Sequence, residues 1–232
     1  MKDFSAYRGY EVSGLSVAGF VKGFAAFRSL ATAFLSRESI GTLDRDGSIV
    51  IQPEGWYPLD GYLRAFNAIA HETGESVVRQ LGVGVMQNVH WPPEADSVEG
   101  MVRLINAGYH MHHRRNGVPL YDPVKGIVPS SIGSYEGRKL SGSLFVIECA
   151  NPYPCVFDQG LVQGALRRLG VKPGSVTVTH DASRPCRAKD GESCTLRLQL
   201  GPGVEWGASR TGDSLPGTNS VTRGPLSLRH RS

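Results

Sequence analysis

The chain has no unbroken apolar run of membrane-spanning length. Its longest mostly apolar stretch, Gly14 to Leu35, is interrupted by Ser16, Lys22, Arg28, Ser29 and Thr32, which argues against a transmembrane helix. The opening residues MKDFSAYRGYEVSG carry acidic side chains where a secretory leader would have a basic start and an apolar centre, so a cytoplasmic protein is expected. A basic stripe is missing as well. The net charge is +4, from 25 Lys+Arg against 21 Asp+Glu. Arg210, Arg223, Arg229 and Arg231 face only Asp213 near the C-terminal end, which leaves the body close to neutral. A nucleic-acid surface, which needs several cations to neutralise phosphates, is therefore not expected. No G-x-S-x-G elbow, Walker A loop, H-E-x-x-H pair or G-x-G-x-x-G turn is present. Catalytic groups, if any, would have to be assembled from distant residues.

Cysteine is scarce, with four in 232 residues: Cys149, Cys155, Cys186 and Cys194. A chain of this length can bury a core of ordinary size without disulfide staples, so reduced thiols are expected. All four fall in one stretch, which makes a metal site worth weighing.

What is present is a succession of helical and β patterns. Phe20, Phe24, Phe27, Ala31 and Phe34 recur at helical spacing and predict one long helix from Gly14 to Leu35. Ile49, Val50 and Ile51 suit a short strand. A second helix is predicted from Asp60, with Tyr62, Leu63, Phe66, Ile69, Val78 and Leu81 on its apolar face and Gly82 as its stop. A third opens at Asp96-Ser97-Val98-Glu99, where the carboxylates of Asp96 and Glu99 would cap free backbone donors. A Gly- and Ser-rich stretch after Gly117 predicts a meander of antiparallel strands. A fourth helix follows with Asp158 as N-cap and Gly170 just past its end. SVTVTH and SCTLRLQL supply two last strands, and from Gly207 onward the composition predicts disorder.

Two clusters could hold a metal. The run His110-Met111-His112-His113 offers imidazoles, but neighbouring helical residues point apart, so packing and the charged helix end account for it. The cysteines are the stronger case. Cys186 and Cys194 flank a turn-rich loop between the last two strands, and Cys155 stands at a helix start, where the dipole favours thiolate. Three thiolates and one further group satisfy tetrahedral zinc, the candidates for the fourth being Cys149, His180, Asp181 and Glu192. Against this, a buried cysteine also serves as a small apolar filler.

The order Asn151-Pro152-Tyr153-Pro154-Cys155-x-Phe157-Asp158-x-Gly160, then a helix, a strand ending near His180, Cys186-Arg187 and Cys194-Thr195, resembles the 4-vinyl reductase domain. The segments Trp56-Tyr57-Pro58-Leu59 and Ser131-Ile132-Gly133-Ser134-Tyr135 resemble a myxobacterial group of such proteins. The resemblance implies a small-molecule-binding or sensory module, related in fold to haem-type nitric-oxide sensors and to a vesicle-tethering subunit. In its aromatic-sensing members zinc is held by three cysteines and a glutamate. The cysteines carry over to Cys155, Cys186 and Cys194, whereas the glutamate position is Ser183 here. The Tyr-x-Ser-x-Arg motif of the haem sensors is missing, so haem is disfavoured.

The resulting expectation is an α+β domain over residues 1–206, with helices packed on an antiparallel sheet, its 4-vinyl-reductase-like part at about 118–200, and a basic tail at 207–232. Its expected function is non-catalytic binding of a small apolar or aromatic ligand, signalled through a partner protein. Phe20, Phe24, Phe27, Trp56 and Tyr109 are the candidate pocket residues, although aromatic residues at this spacing most often serve packing. Cys155, Cys186, Cys194, Cys149 and His180 are the candidate zinc ligands. The aromatic first helix suggests a homodimer, and Leu226, Leu228 and Arg229-His230-Arg231 offer a further partner a docking point. The alternatives are an enzyme acting on a tetrapyrrole or vinyl-bearing substrate and an assembly scaffold.

Overall fold

The computed structural model describes residues 2–93, 95–189, 191–202 and 206; the expected tail at 207–232 lies outside them. A short 3-10 turn at Ser5–Tyr7 leads into β1 (Tyr10–Ser13), α1 (Gly14–Gly23) and α2 (Arg28–Arg37). Next come β2 (Thr42–Leu43), β3 (Ile49–Val50), β4 (Trp56–Pro58), α3 (Leu59–Thr73), α4 (Glu75–Asn88) and α5 (Val98–Met111). The short strands β5 (His113–Arg115), β6 (Val118–Pro119), β7 (Tyr121–Asp122) and β8 (Gly126–Ile127) precede β9 (Ser134–Lys139) and β10 (Leu144–Ala150). Helix α6 (Cys155–Arg168), β11 (Val176–His180) and β12 (Cys194–Leu200) complete the fold.

Eight strands form two four-stranded antiparallel sheets, ordered β4-β1-β5-β6 and β11-β12-β10-β9, and the other four pair as β2-β3 and β7-β8. In the second sheet Cys149 of β10 stands opposite Cys194 of β12. The alternation in β12 fits a strand with one face inward: Cys194, Leu196, Leu198 and Leu200 are buried. Among the described residues no single helix is long and apolar enough to cross a membrane.

The expected first helix is two helices, α1 and α2, joined by a 3-10 turn at Ala25–Phe27 and bent by 80°. The physical reason is that its stripe serves two different surfaces. Phe20 buries against the rings of α3 and Phe24 against Phe20, while Ala31 and Leu35 bury one bend further on, and Phe27 between them is left 39% exposed. Gly23 lets the end of α1 lie close against Leu81, whose side chain a Cβ there would meet at 2.1 Å.

The second expected helix also divides. Gly74 adopts φ +82°, a backbone state that side-chain-bearing residues rarely take, and it separates α3 from α4. Helix α4 then runs past Gly82, which is no stop but a contact point. The helices α4 and α6 approach so closely that a Cβ on Gly160 would stand 2.0 Å from the Arg79 carbonyl oxygen, and one on Gly82 2.4 Å from that of Phe157. Small residues at a crossing let two helix backbones meet. The cap of α5 is Ser97, whose Oγ accepts from the Gly100 N–H at 3.1 Å, rather than Asp96. Asp158 is likewise no N-cap. Helix α6 begins at Cys155, so Asp158 lies within its first turn and points into the core.

Candidate metal centre

Four side chains converge where the start of α6 meets the loop between β11 and β12. The ligand atoms of Cys155, His180, Cys186 and Cys194 all lie within 4.8 Å of one another. Each is fixed by a different local feature. Cys155 is the first residue of α6, His180 the last of β11, and Cys194 the first of β12. Cys186 closes the loop, its carbonyl accepting from the N–H groups of Lys189 and Gly191 at 2.8 and 2.9 Å. The Cys186 and Cys194 sulfurs are 3.9 Å apart. A tetrahedral zinc ion with Zn–S bonds of about 2.3 Å separates two thiolates by about 3.8 Å. The Nε2 atom of His180 is buried and has no hydrogen-bond partner. A buried polar nitrogen left unpaired is costly, and the imidazole adds a nitrogen donor to the three sulfurs of the cluster.

Of the other candidates for a fourth ligand, Cys149 is fully buried in β10, its thiol turned to the Ile147 carbonyl at 4.0 Å, and burial pushes its pKa far up. Asp181 is engaged by the Ser183 hydroxyl at 2.6 Å and by Arg197 at 3.4 Å. The structure thus groups His180, and not Cys149 or Asp181, with the three cysteines.

Beside the cluster lies a buried polar network. Arg187, 3% exposed, donates through its backbone N–H and its Nε to the Cys194 sulfur at 3.3 and 3.4 Å. Its Nη1 donates to both oxygens of Asn151, and its Nη2 is paired with Asp158. Asp158 also accepts from the Tyr135 hydroxyl at 2.7 Å and from the Asn151 amide at 3.2 Å. Burial pushes the Asp158 carboxyl up, and Arg187, Tyr135 and Asn151 pull against that. A hydrogen bond from Cys155, with Arg187 close by, holds the Cys194 thiol well below the ordinary range; the same contact and burial raise Cys155. Sequence reasoning missed Arg187 and Asp158 in these roles. The signal was there, since both sit inside the motif that carried the cysteines, but a charged pair at 0 to 3% exposure is not legible from spacing.

Three of the candidate pocket residues, Phe20, Phe24 and Tyr109, share one continuous ring cluster, Tyr109 joining it through Tyr153 at 6.3 Å, while Trp56 and Phe27 lie apart. Phe20 and Phe24 pack inside a ring cluster with Tyr62 and Phe66, with centroid separations of 4.6 to 5.3 Å around Phe20. Tyr109 is buried on α5, its hydroxyl donating to the Ile132 carbonyl at 2.7 Å. Trp56 lies on β4 beneath the Arg114 guanidinium at 4.6 Å, and Phe27 is at the bend. Two surface grooves lie elsewhere. One of about 340 Å³ runs between α5 and β9 past Asn106 and Tyr135, and one of about 260 Å³ runs beside Val21 and Ile51.

The histidine run divides its duties. His113 is buried, with Nδ1 at the Tyr109 carbonyl and Nε2 against the Tyr153 hydroxyl at 2.7 Å, and burial depresses its pKa to about 3. His112 Nδ1 meets the Ser13 hydroxyl at 2.9 Å, and His110 Nδ1 meets the Asn106 carbonyl at 2.8 Å.

Neither a protein-family model nor a curated protein sequence matches the chain. Solved structures do. An H-NOX protein from S. oneidensis, in the Fe(II)NO state, superposes with a TM-score of 0.53 at 17% identity, over 82% of this chain and 99% of that one. A structure probing haem distortion in the H-NOX family gives a TM-score of 0.53 at 14% identity, over 80% and 93%. The fold is that of the H-NOX domains. An oxygen-binding H-NOX domain related to soluble guanylate cyclases agrees, with a TM-score of 0.51 at 13% identity, over 81% and 94%. At these identities the likeness to H-NOX domains establishes fold, and the expected relation to haem-type nitric-oxide sensors holds at that level. The expectation that haem is disfavoured is corrected: it rested on the missing Tyr-x-Ser-x-Arg motif, and the chain nevertheless has the fold of haem-containing H-NOX proteins. Both ring nitrogens of the buried His113 already have hydrogen-bond partners, so as packed it offers no free donor to a metal.

Proposed function

We propose that the chain is a small-molecule sensory domain of H-NOX-like fold whose last hairpin is clamped by a divalent metal ion, held by Cys155, His180, Cys186 and Cys194. The single observation that carries the metal is the convergence of three sulfurs and a His180 ring nitrogen within 4.8 Å of one another. Three soft thiolates and one imidazole are a donor set suited to zinc. All four protein ligands come from different points of the fold, a closed arrangement in which the ion contributes stability rather than chemistry. The sensory part of the reading is supported by the fold likeness and by the 4-vinyl reductase resemblance of the cysteine motif. A small apolar or aromatic molecule would act on the ring cluster around Phe20, Tyr62, Phe66 and Tyr153, and the signal would pass to a partner protein or a second copy of the chain.

Metal analysis after dialysis should return close to one zinc per chain. Cys186→Ser should lower both zinc content and melting temperature, while Cys149→Ser should leave the zinc in place. Folded, fully reduced wild-type protein without metal would overturn the reading. Native mass spectrometry of the protein from its own host tests the sensory part through a retained small molecule.

A further inference from the structure

Three thiolates, a neutral imidazole and a divalent cation sum to one net negative charge, held at a site whose Cys194 is buried. An uncompensated charge in such a place is expensive, and a paired one much less so. The guanidinium of Arg187 is the cation in contact with that sulfur. It reaches Cys194 through Nε while its own backbone N–H donates to the same sulfur, so two N–H groups converge on one ligand at 3.3 and 3.4 Å. The far side of the fork is saturated by Asn151 and Asp158, and Asp158 is fixed in turn by Tyr135. A planar fork held at both ends cannot rotate away, and a lysine could not reproduce it. Lys2 adds a further positive charge, its ammonium donating to the Arg187 carbonyl at 3.1 Å.

Resting on the metal reading above, we propose that Arg187 is a positioning residue of the metal centre, which compensates its negative charge and fixes the orientation and electron donation of the Cys194 thiolate, with Asp158 and Asn151 holding it in place. Hydrogen bonds to a ligand sulfur stabilise its lone pairs, so they weaken its donation to the metal and raise the energy of sulfur-to-metal charge transfer. Cys155 and Cys186 receive no such bond from Arg187, which makes Cys194 electronically distinct among the three.

The test uses the full chain loaded with cobalt(II), whose thiolate charge-transfer band reports the ligands, together with zinc affinity from chelator competition. Replacing Arg187 alone would leave Asp158 buried and unpaired, so the variant is Arg187→Met combined with Asp158→Asn. It should bind one cobalt with the charge-transfer band moved to lower energy, and zinc roughly 10- to 100-fold more weakly, the range typical for lost outer-shell partners. Arg187→Lys keeps a cation for Asp158 and is the second variant, should the first not fold. It should show a shift of the same sign, with a loss within about tenfold. A merely structural role would lower the melting temperature of the metal-free protein without moving the band. Wild-type protein that takes up cobalt, with a folded variant of unchanged band and unchanged zinc affinity, overturns this inference alone. Wild-type protein that takes up no cobalt overturns the metal reading and the inference together.

Discussion

Replacing Gly160 by alanine should push α6 off α4. The new methyl would stand 2.0 Å from the Arg79 carbonyl oxygen, 2.9 Å from its carbon and 3.0 Å from the Gly82 Cα, and all three atoms belong to backbone, which cannot rotate aside. Ordinary contact begins at 3.4 Å, so the helices must part by roughly 1 Å along much of their shared length, in an interior packed as densely as a crystal. Overpacking of this kind costs about 1 to 3 kcal/mol, a melting-temperature loss of roughly 2 to 12 °C for a chain of this size. A control lies on α4 itself. A methyl at Gly84 meets nothing within 4 Å, and alanine there should stabilise the helix by up to about 1 kcal/mol through propensity alone. Thermal unfolding followed by circular dichroism reads both variants. If Gly160→Ala melts no lower than the wild type, or if Gly84→Ala melts lower, the close crossing is not what holds these helices. Because α6 carries Cys155 at its first residue, the proposed metal centre predicts that zinc uptake by Gly160→Ala falls along with its stability.

Phe24 is fully buried, so Phe24→Ala should cost about 3 to 5 kcal/mol in chemical denaturation, and an unchanged midpoint would mean that the bend leaves this ring outside the core. His113 supplies a pH dependence. Burial lowers its folded-state pKa from 6.5 to about 3, so the unfolded chain takes up a proton first, and the stability that a neutral His113 contributes is lost as pH falls from about 6.5 towards about 3. The stability difference between wild type and His113→Gln should therefore shrink over that window, and a difference independent of pH would contradict the assignment. Tyr153→Phe removes the partner of the His113 Nε2 and should cost about 1 to 3 kcal/mol by leaving a buried nitrogen unpaired.

Much of the second sheet was legible in the sequence because its signals are local. The alternation of Cys194, Leu196, Leu198 and Leu200 and the turn residues of the preceding loop identified β12 and the hairpin that carries two of the sulfurs. The breaks in the helical half were not legible in the same way. Nothing in the spacing of Phe20, Phe24 and Phe27 tells that the third ring has no surface to bury against, since that depends on where α3 lies. Gly74 and Gly82 are both glycines within an apolar helical pattern, yet one ends a helix and the other lets two helices touch. The motif around Cys155 placed Asp158 correctly in sequence and incorrectly in role: its partner, Arg187, comes from a loop 29 positions away, and burial rather than spacing makes the pair. The grouping of His180 with the cysteines in the structure depends on β11 lying antiparallel to β12, with His180 opposite Leu196.

The two sheets differ in how far apart in the chain their strands lie. The first joins β1 to β5, an arrangement sealed by Glu11 and Arg114 at a separation of 103 positions. The second is made from consecutive segments between Ser134 and Leu200. The entropy of closing a loop grows with its length, and distant pairings are reached late. The second sheet with α6 is therefore the natural nucleus of assembly, and β1 the piece that closes the structure afterwards. All four sulfur and imidazole donors belong to that early half. On the proposed metal reading, an ion is captured while the N-terminal strand is still seeking its place, and its arrival speeds folding as well as deepening the native state.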